Sequence, residues 1–361
     1  PTPMAGLALG VASVLWCADG ETGAGGALQL AGAFVAACLL ALLLVRALFH
    51  FDTILSDVRH PVAGSILPTF AMCLMVISAS LSRLSPAAGR TLWCIAVALH
   101  LLILAGFLFS RVRSALKGDR AMDAMVPSWF IPPVGIVVAD VTFPEDGALL
   151  PVALGCLWLG LACYAVLLPV MLCRLCLGPE IAAGARPTLA IMAAPASLSL
   201  AGYLTVVEAP NLLLCAVLLG IALLMTTSIY FAFWHLLRLK FSPGYAAFTF
   251  PMAIGATALY KSAAALERLG AAEADGYAAT LRLLAHGELI VALGHNGVRG
   301  NPCIFPRRFF PELTALAGDV GGNAVIRAHP EALLLYETAA AELRDVDTVE
   351  ALASLRGEDL V

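Results

Sequence analysis

Cys173 and Cys176 form a Cys-x-x-Cys pair, the spacing that supplies half of a tetrahedral zinc site. No second pair completes it. Cys17, Cys38, Cys73, Cys94, Cys156, Cys163 and Cys215 fall within or at the edges of apolar runs, where cysteine acts as a small packing residue. No metal, no cofactor and no catalytic residue is therefore expected. Proline suggests another kind of chemistry. Pro68, Pro132 with Pro133, Pro195 and Pro251 each interrupt a long apolar run, while the runs between them are mostly free of proline. Proline removes a backbone N–H and clashes with the preceding turn, so a buried helix tolerates it only where neighbours or a cavity satisfy the freed carbonyls. Ser65, Thr69 and Ser197 lie close to these prolines. Their hydroxyls can solvate a passing ion weakly, or the residues can serve as close contacts between helices.

The elements that must position these residues are membrane spans. The chain is 61% hydrophobic and 13% charged, with a mean hydropathy of +0.91, which excludes a soluble domain of 361 residues. Crossing a hydrocarbon core of roughly 30 Å takes about 20 residues. The sequence offers ten such stretches between residues 3 and 293, the last at 277–293. They pair into five helical hairpins in which the first member carries Pro or Gly and the second is rich in Leu, Ala and Val. Gly6 and Gly10 take the place of proline in the first stretch. The expected fold is thus an all-α polytopic membrane protein with its proline-bearing helices around a central pore. Arg46, Arg59, Arg111, Arg113, Lys117, Arg120, Arg174, Arg186, Arg238 and Lys240 follow even-numbered stretches, whereas Asp19, Glu21, Asp140, Glu145, Asp146 and Glu208 follow odd ones. This sorting places the N-terminus in the cytoplasm, with Arg83 and Arg90 as exceptions in an outside loop. No charged residue is expected at mid-depth on an odd stretch, which favours permeation down a gradient over pumping.

Beyond about residue 293 the sequence turns charged and turn-rich, in the manner of a soluble α/β fragment. The domain division expected is a transmembrane domain over 1–292 and a tail over 293–361. Arg282, His286 and Glu288 crowd the tenth stretch, just before this junction.

Four phrases in the spans resemble the tellurite-resistance/dicarboxylate transporter family, which includes bacterial TehA and the plant slow-type anion channels. They run from Arg59 to Phe70, Pro127 to Ala139, Arg186 to Leu204 and Phe241 to Leu259, in family order. The resemblance implies ten helices in five hairpins, a trimer in the inner membrane, and passage of small anions or dicarboxylates. It also implies that a phenylalanine of the ninth helix plugs the pore. Phe250 is the candidate and Phe248 the alternative. A ring in a narrow apolar pore excludes water and hence ions, and the adjacent Pro251 can make its position adjustable. Further candidate pore-liners are Gly6, Gly10, Ser65, Pro68, Thr69, Phe70, Phe130, Pro132, Pro195, Ser197 and Pro251. Anion selectivity follows from the resemblance and not from these residues. The expected partners are the substrate anion, the bilayer and two further copies of the chain, with no nucleic acid.

The tail resembles the C-terminal part of molybdenum cofactor cytidylyltransferases and their MobA-like relatives, through Arg299 to Pro302, Phe305 to Leu313, Gly318 to Gly321, His329-Pro330 and Asp345 to Thr348. Nothing in residues 1–290 supplies the glycine-rich nucleotide loop of those enzymes. The tail is expected to hold at most a cofactor-facing set, Asn301, Asp319 and Asp347. The expected function is accordingly a membrane anion channel or transporter, with a nucleotidyltransferase-like fusion or a non-functional chimera as the alternatives.

Overall fold

The computed structural model describes residues 3–50, 52, 56–57, 60–117, 124–268, 289–316 and 321–337. Among these residues, seven helices are long and apolar enough to cross a membrane, and the protein is a polytopic membrane protein. The chain forms two compact units, Pro1–Lys261 and Ser262–Val361.

In the first unit, continuous helices alternate with broken ones. The first hairpin joins α1 (Pro3–Thr22) to α2 (Ala27–Phe49). Asp19 closes its turn by accepting hydrogen bonds from the backbone N–H of Gly26 and Leu28, at 2.9 and 3.0 Å. Gly26 sits at φ 98°, a backbone conformation that favours glycine, and the Arg83 guanidinium lies against the site of its missing Cβ. The third segment is α3 (Pro61–Ile66), a break at Leu67-Pro68, then α4 (Thr69–Ser82). His60 Nδ1 caps α3 by accepting from Val62 and Ala63 N–H, both at 3.2 Å. The fourth segment is the uninterrupted α5 (Pro86–Leu116), capped by Ser85.

The fifth segment is the most fractured. A 3-10 turn at Pro127–Phe130 leads into α6 (Ile131–Val134), a second 3-10 turn at Gly135–Val137, and α7 (Val138–Val141). The cause is local, since Pro132 and Pro133 cannot donate and Gly135 favours no single conformation. The sixth segment, α8 (Leu150–Leu177), runs through Pro169. The seventh begins as 3-10 helix over Ala183–Ala193, with Pro187 inside, and becomes α9 (Ala194–Val206) at Pro195. Asn211 caps the eighth segment, α10 (Leu212–Leu236), with Oδ1 accepting from Leu214 N–H at 3.1 Å. The ninth starts as 3-10 helix over Pro243–Phe248 and continues as α11 (Phe250–Arg268).

Freed carbonyls in the broken segments find side-chain donors. Trp93 Nε1 donates to Ala139 O at 3.0 Å, His100 Nε2 to Pro132 O at 2.8 Å and Trp129 Nε1 to Pro61 O at 3.1 Å. Without water to serve them, such groups would each be costly in lipid. Shape fits as well. Cβ atoms added to Gly160 and Gly202 would stand 2.2 and 2.5 Å from the two methyls of Val137, so glycines of α8 and α9 make the hole that this side chain fills.

The odd segments close a ring. α1 packs on α4, α4 on α7, and α7 on α9; the 3-10 run Ala183–Ala193 then packs on Pro243–Phe248, which returns to α1. α2, α5, α8 and α10 pack outside their hairpin partners. In the seventh segment 89% of the most apolar window is buried, against 17% in the eighth, which separates inner from outer wall. At the end where the odd segments finish, Arg90 pairs with Asp146 at 2.6 Å and Arg83 donates to Gly25 O at 2.9 Å. The two arginines that broke the charge pattern thus tie loops of one face together.

The second unit contains a three-stranded sheet of order β2-β1-β3, comprising β1 (Ile290–His295), β2 (Val298–Ile304) and β3 (Leu333–Glu337). Asn296 and Gly297, at φ 49° and 78°, make the tight turn between the antiparallel β1 and β2. β3 lies parallel to β1. Ile290, Phe309, Val325, Ile326 and Ala332 form its core, so the expected α/β character of the tail is present. Most of the stretch expected as a tenth span, at 277–288, lies outside the described residues. Its end is corrected, because Ile290–Leu293 belong to the buried central strand.

Candidate functional site

Two cavities lie along the ring of odd segments. The first is lined by the early part of each odd segment, including Pro3, Gly6, Thr69, Phe130, Thr188, Pro195, Ala246 and Pro251. The second is lined by later positions, among them Ser13, Trp16, Gly20, Val76, Val141, Thr142, Thr257 and Lys261. The rise from Gly6 to Gly20 along α1 and from Ala246 to Lys261 in the ninth segment shows that the cavities follow one another along the ring axis. Phe250 and Leu198 line both. The ring of Phe250 therefore stands where the two spaces meet.

Six of the expected pore residues besides the gate reach neither cavity. Gly10 is taken up by helix packing, because a Cβ on it would lie 1.9 Å from Thr249 Oγ1. Ser65 is buried and shares a 2.7 Å hydrogen bond with Ser128. Pro68 starts α4, and Phe70 packs on the core. Pro132 is buried with its carbonyl on His100, and Ser197 donates to Ala193 O at 3.1 Å. Phe248, the alternative gate, is likewise absent from both walls. Its ring packs 5.3 Å from Phe233 and 4.8 Å from Tyr245, between centroids. Gly6, Thr69, Phe130, Pro195, Phe250 and Pro251 do line the first cavity.

Several wall residues were not anticipated. The first cavity is almost wholly apolar, walled by Leu9, Ile66, Met72, Val134, Ile191 and Leu198. The second carries hydroxyls and one cation. Thr142 Oγ1 and Thr257 Oγ1 donate back to Val138 O and Ala253 O, at 2.8 and 3.0 Å. Ser13 Oγ is buried with no hydrogen-bond partner among the described residues. Among the described residues Lys261 is the charged side chain of that wall, and no carboxylate lines either cavity. Lys261 was readable as the last turn of the ninth span, but only the closed ring turns it toward the pore.

One acidic residue sits differently from the sequence reading. Asp140, placed by sequence in an outside loop, is fully buried on α7, and neither carboxylate oxygen has a partner among the described residues. It lines neither cavity, and a Cβ on Gly202 would lie 3.1 Å from its Cβ. Cys173 and Cys176 are exposed on α8, and the described residues contain no cluster of His, Cys, Asp or Glu that could hold a metal. In the tail, Asn301 stands on β2, while Asp319 and Asp347 lie outside the described residues.

Comparison with known proteins agrees with the resemblance of the spans. The sequence model of a family described as SLAC1, voltage-dependent anion channel, matches residues 4–289. An uncharacterized transporter of Methanocaldococcus jannaschii is 26% identical over 180 residues, which covers 45% of this chain and 50% of the relative. The chain thus matches half the length of that curated relative. The family match stops one residue before β1, and neither comparison supports the nucleotidyltransferase resemblance of the tail.

Proposed function

The chain belongs to the SLAC1 voltage-dependent anion channel family, and from that premise we propose that it passes small anions through the ring of odd segments, with Phe250 as the gate. The observation that carries this reading is that Phe250 lies in the walls of both cavities. An aromatic ring between two narrow apolar spaces makes entry of water unfavourable, and an ion that cannot bring water with it faces the full cost of dehydration. Pro251 weakens the helix at the next residue, which lets the ring swing without unwinding α11. Passage then needs no covalent step and no cofactor.

The substrate class proposed is a small monovalent anion. Lys261 lies in the wall, the Ser13 hydroxyl is a weak ligand with no hydrogen-bond partner among the described residues, and those of Thr142 and Thr257 serve only by giving up their bonds to Val138 O and Ala253 O. A dicarboxylate, with two charges to hold, would call for a second cation that the described walls lack. Family resemblance supports a homotrimer in the inner membrane, and the basic connections after the even segments support a cytoplasmic N-terminus.

Chloride currents across a planar bilayer, with purified native chain and Phe250→Ala, test the proposal. The native protein should conduct little at rest and the variant much more. Silence in both, with the protein shown to be inserted, would refute it.

A further inference from the structure

Phe250 is not alone at the junction of the two cavities, and this observation extends the function proposed above. Leu198 is the other residue that lines both. It lies on α9, three residues after the break at Pro195, and is 2% exposed. Its neighbour Ser197 turns the other way, to Ala193 O. The remaining wall residues belong to one space or the other. Thr69, Met72, Phe130 and Val134 face the first, and Val76, Val138 and Ile254 face the second.

We infer that Leu198 is the second half of the gate, so that the closed constriction is formed by Phe250 together with Leu198, from adjacent segments of the ring. A hydrophobic constriction shuts by holding the gap below the width at which water is stable, and that width depends on both sides of the gap. Phe250 supplies a flat ring whose position its proline can alter. Leu198 supplies the branched surface that the ring closes against, on a segment buried along most of its length. Leu198 sets how far the ring must move before the pore wets. The inference gives Leu198 a specificity role as well, because the residue that limits the open gap also limits the size of the anion that passes.

The inference rests on the proposed function, and moving the bulk from one wall to the other tests it separately. Chloride conductance in bilayers is compared for Phe250→Ala, Leu198→Ala, and the double variant Phe250→Ala with Leu198→Phe, each checked for insertion and for elution like the native chain. Leu198→Ala alone should raise resting conductance about tenfold, as a barrier lowered by about 1.4 kcal/mol does. The double variant should fall back toward the native level, because a ring returns to the constriction from the opposite wall. A residue that merely packed α9 would give no such recovery. If Phe250→Ala conducts and the double variant conducts equally, Leu198 is not in the gate and the pore reading stands. If no inserted variant conducts, the pore reading and this inference fall together.

Discussion

Gly10 and Thr249 provide the sharpest test of how the gate is positioned. A Cβ on Gly10 would lie 1.9 Å from Thr249 Oγ1 and 2.5 Å from Thr249 Cβ, whereas unstrained carbon contacts are about 3.5–4.0 Å. Rotation of the threonine could move Oγ1, at the expense of its 2.8 Å bond to Ala246 O, but it cannot move Cβ. In Gly10→Ala, α1 and the start of the ninth segment must therefore separate by about 1 Å. Overpacking of this kind costs about 1–3 kcal/mol. The assay is thermal unfolding in detergent, with Gly106→Ala as control, since nothing lies within 4 Å of the site of that Cβ. Gly10→Ala should melt several degrees below the native chain, and Gly106→Ala should not. Thr249→Gly removes the obstructing atoms, so the two changes should be coupled by about 0.5–3 kcal/mol in a double-mutant cycle. Because Thr249 adjoins Phe250, Gly10→Ala should also change resting chloride conductance. A native melting temperature for Gly10→Ala, or strict additivity with Thr249→Gly, would refute the close approach and the account of how the ring is held.

His100→Phe keeps an aromatic ring at the site but leaves Pro132 O without its donor, and should lower stability by about 1–3 kcal/mol in the same melting assay. Lys261→Gln should reduce chloride conductance about tenfold at low ionic strength, with the difference narrowing in concentrated salt; single-channel recording across a salt series checks this. Arg90 and the N–H of Ala148 both hydrogen-bond Asp146 and hold its carboxyl below the usual range. A depressed carboxylate stabilises the fold above its unfolded pKa, and that contribution disappears as pH falls through the folded value. Melting temperature should accordingly drop on acidification below about pH 4, and Arg90→Gln should flatten that part of the profile.

Much of this architecture was legible because proline acts on the backbone whatever surrounds it. Pro68, Pro132, Pro195 and Pro251 each mark an actual break, and the smooth runs between them are the outer helices. Which side chains face the pore was not legible, for a geometric reason. A 3-10 helix turns about 120° per residue and an α-helix about 100°. Over the 11 residues of Ala183–Ala193 the two differ by about 220°, enough to turn Ser197 away and bring Leu198 in. The same effect left Phe248 open as the alternative to Phe250, since Phe248 ends a 3-10 run while Phe250 begins an α-helix. Ser65 found a hydroxyl partner in another segment, and a single sequence carries no sign of that pairing. Asp140 was counted with the loop acids because it lies near the end of the fifth segment, which runs on to Val141.

The two donors on α5 carry a consequence for how the protein is made. Trp93 and His100 are seven residues apart, two turns on one face, and their acceptors Ala139 and Pro132 are also seven apart, in the reverse order along the chain. The fourth segment therefore presents a template that matches the fifth in antiparallel register. Synthesis completes α5 first, and an unbroken helix of 31 residues is stable in lipid by itself. The fifth segment gains the donors Trp93 and His100 for its carbonyls at Ala139 and Pro132 only when it meets α5. Docking on the helix made just before it therefore lowers the cost of placing the broken segment in lipid, so the order of segments in the gene suits an order of assembly.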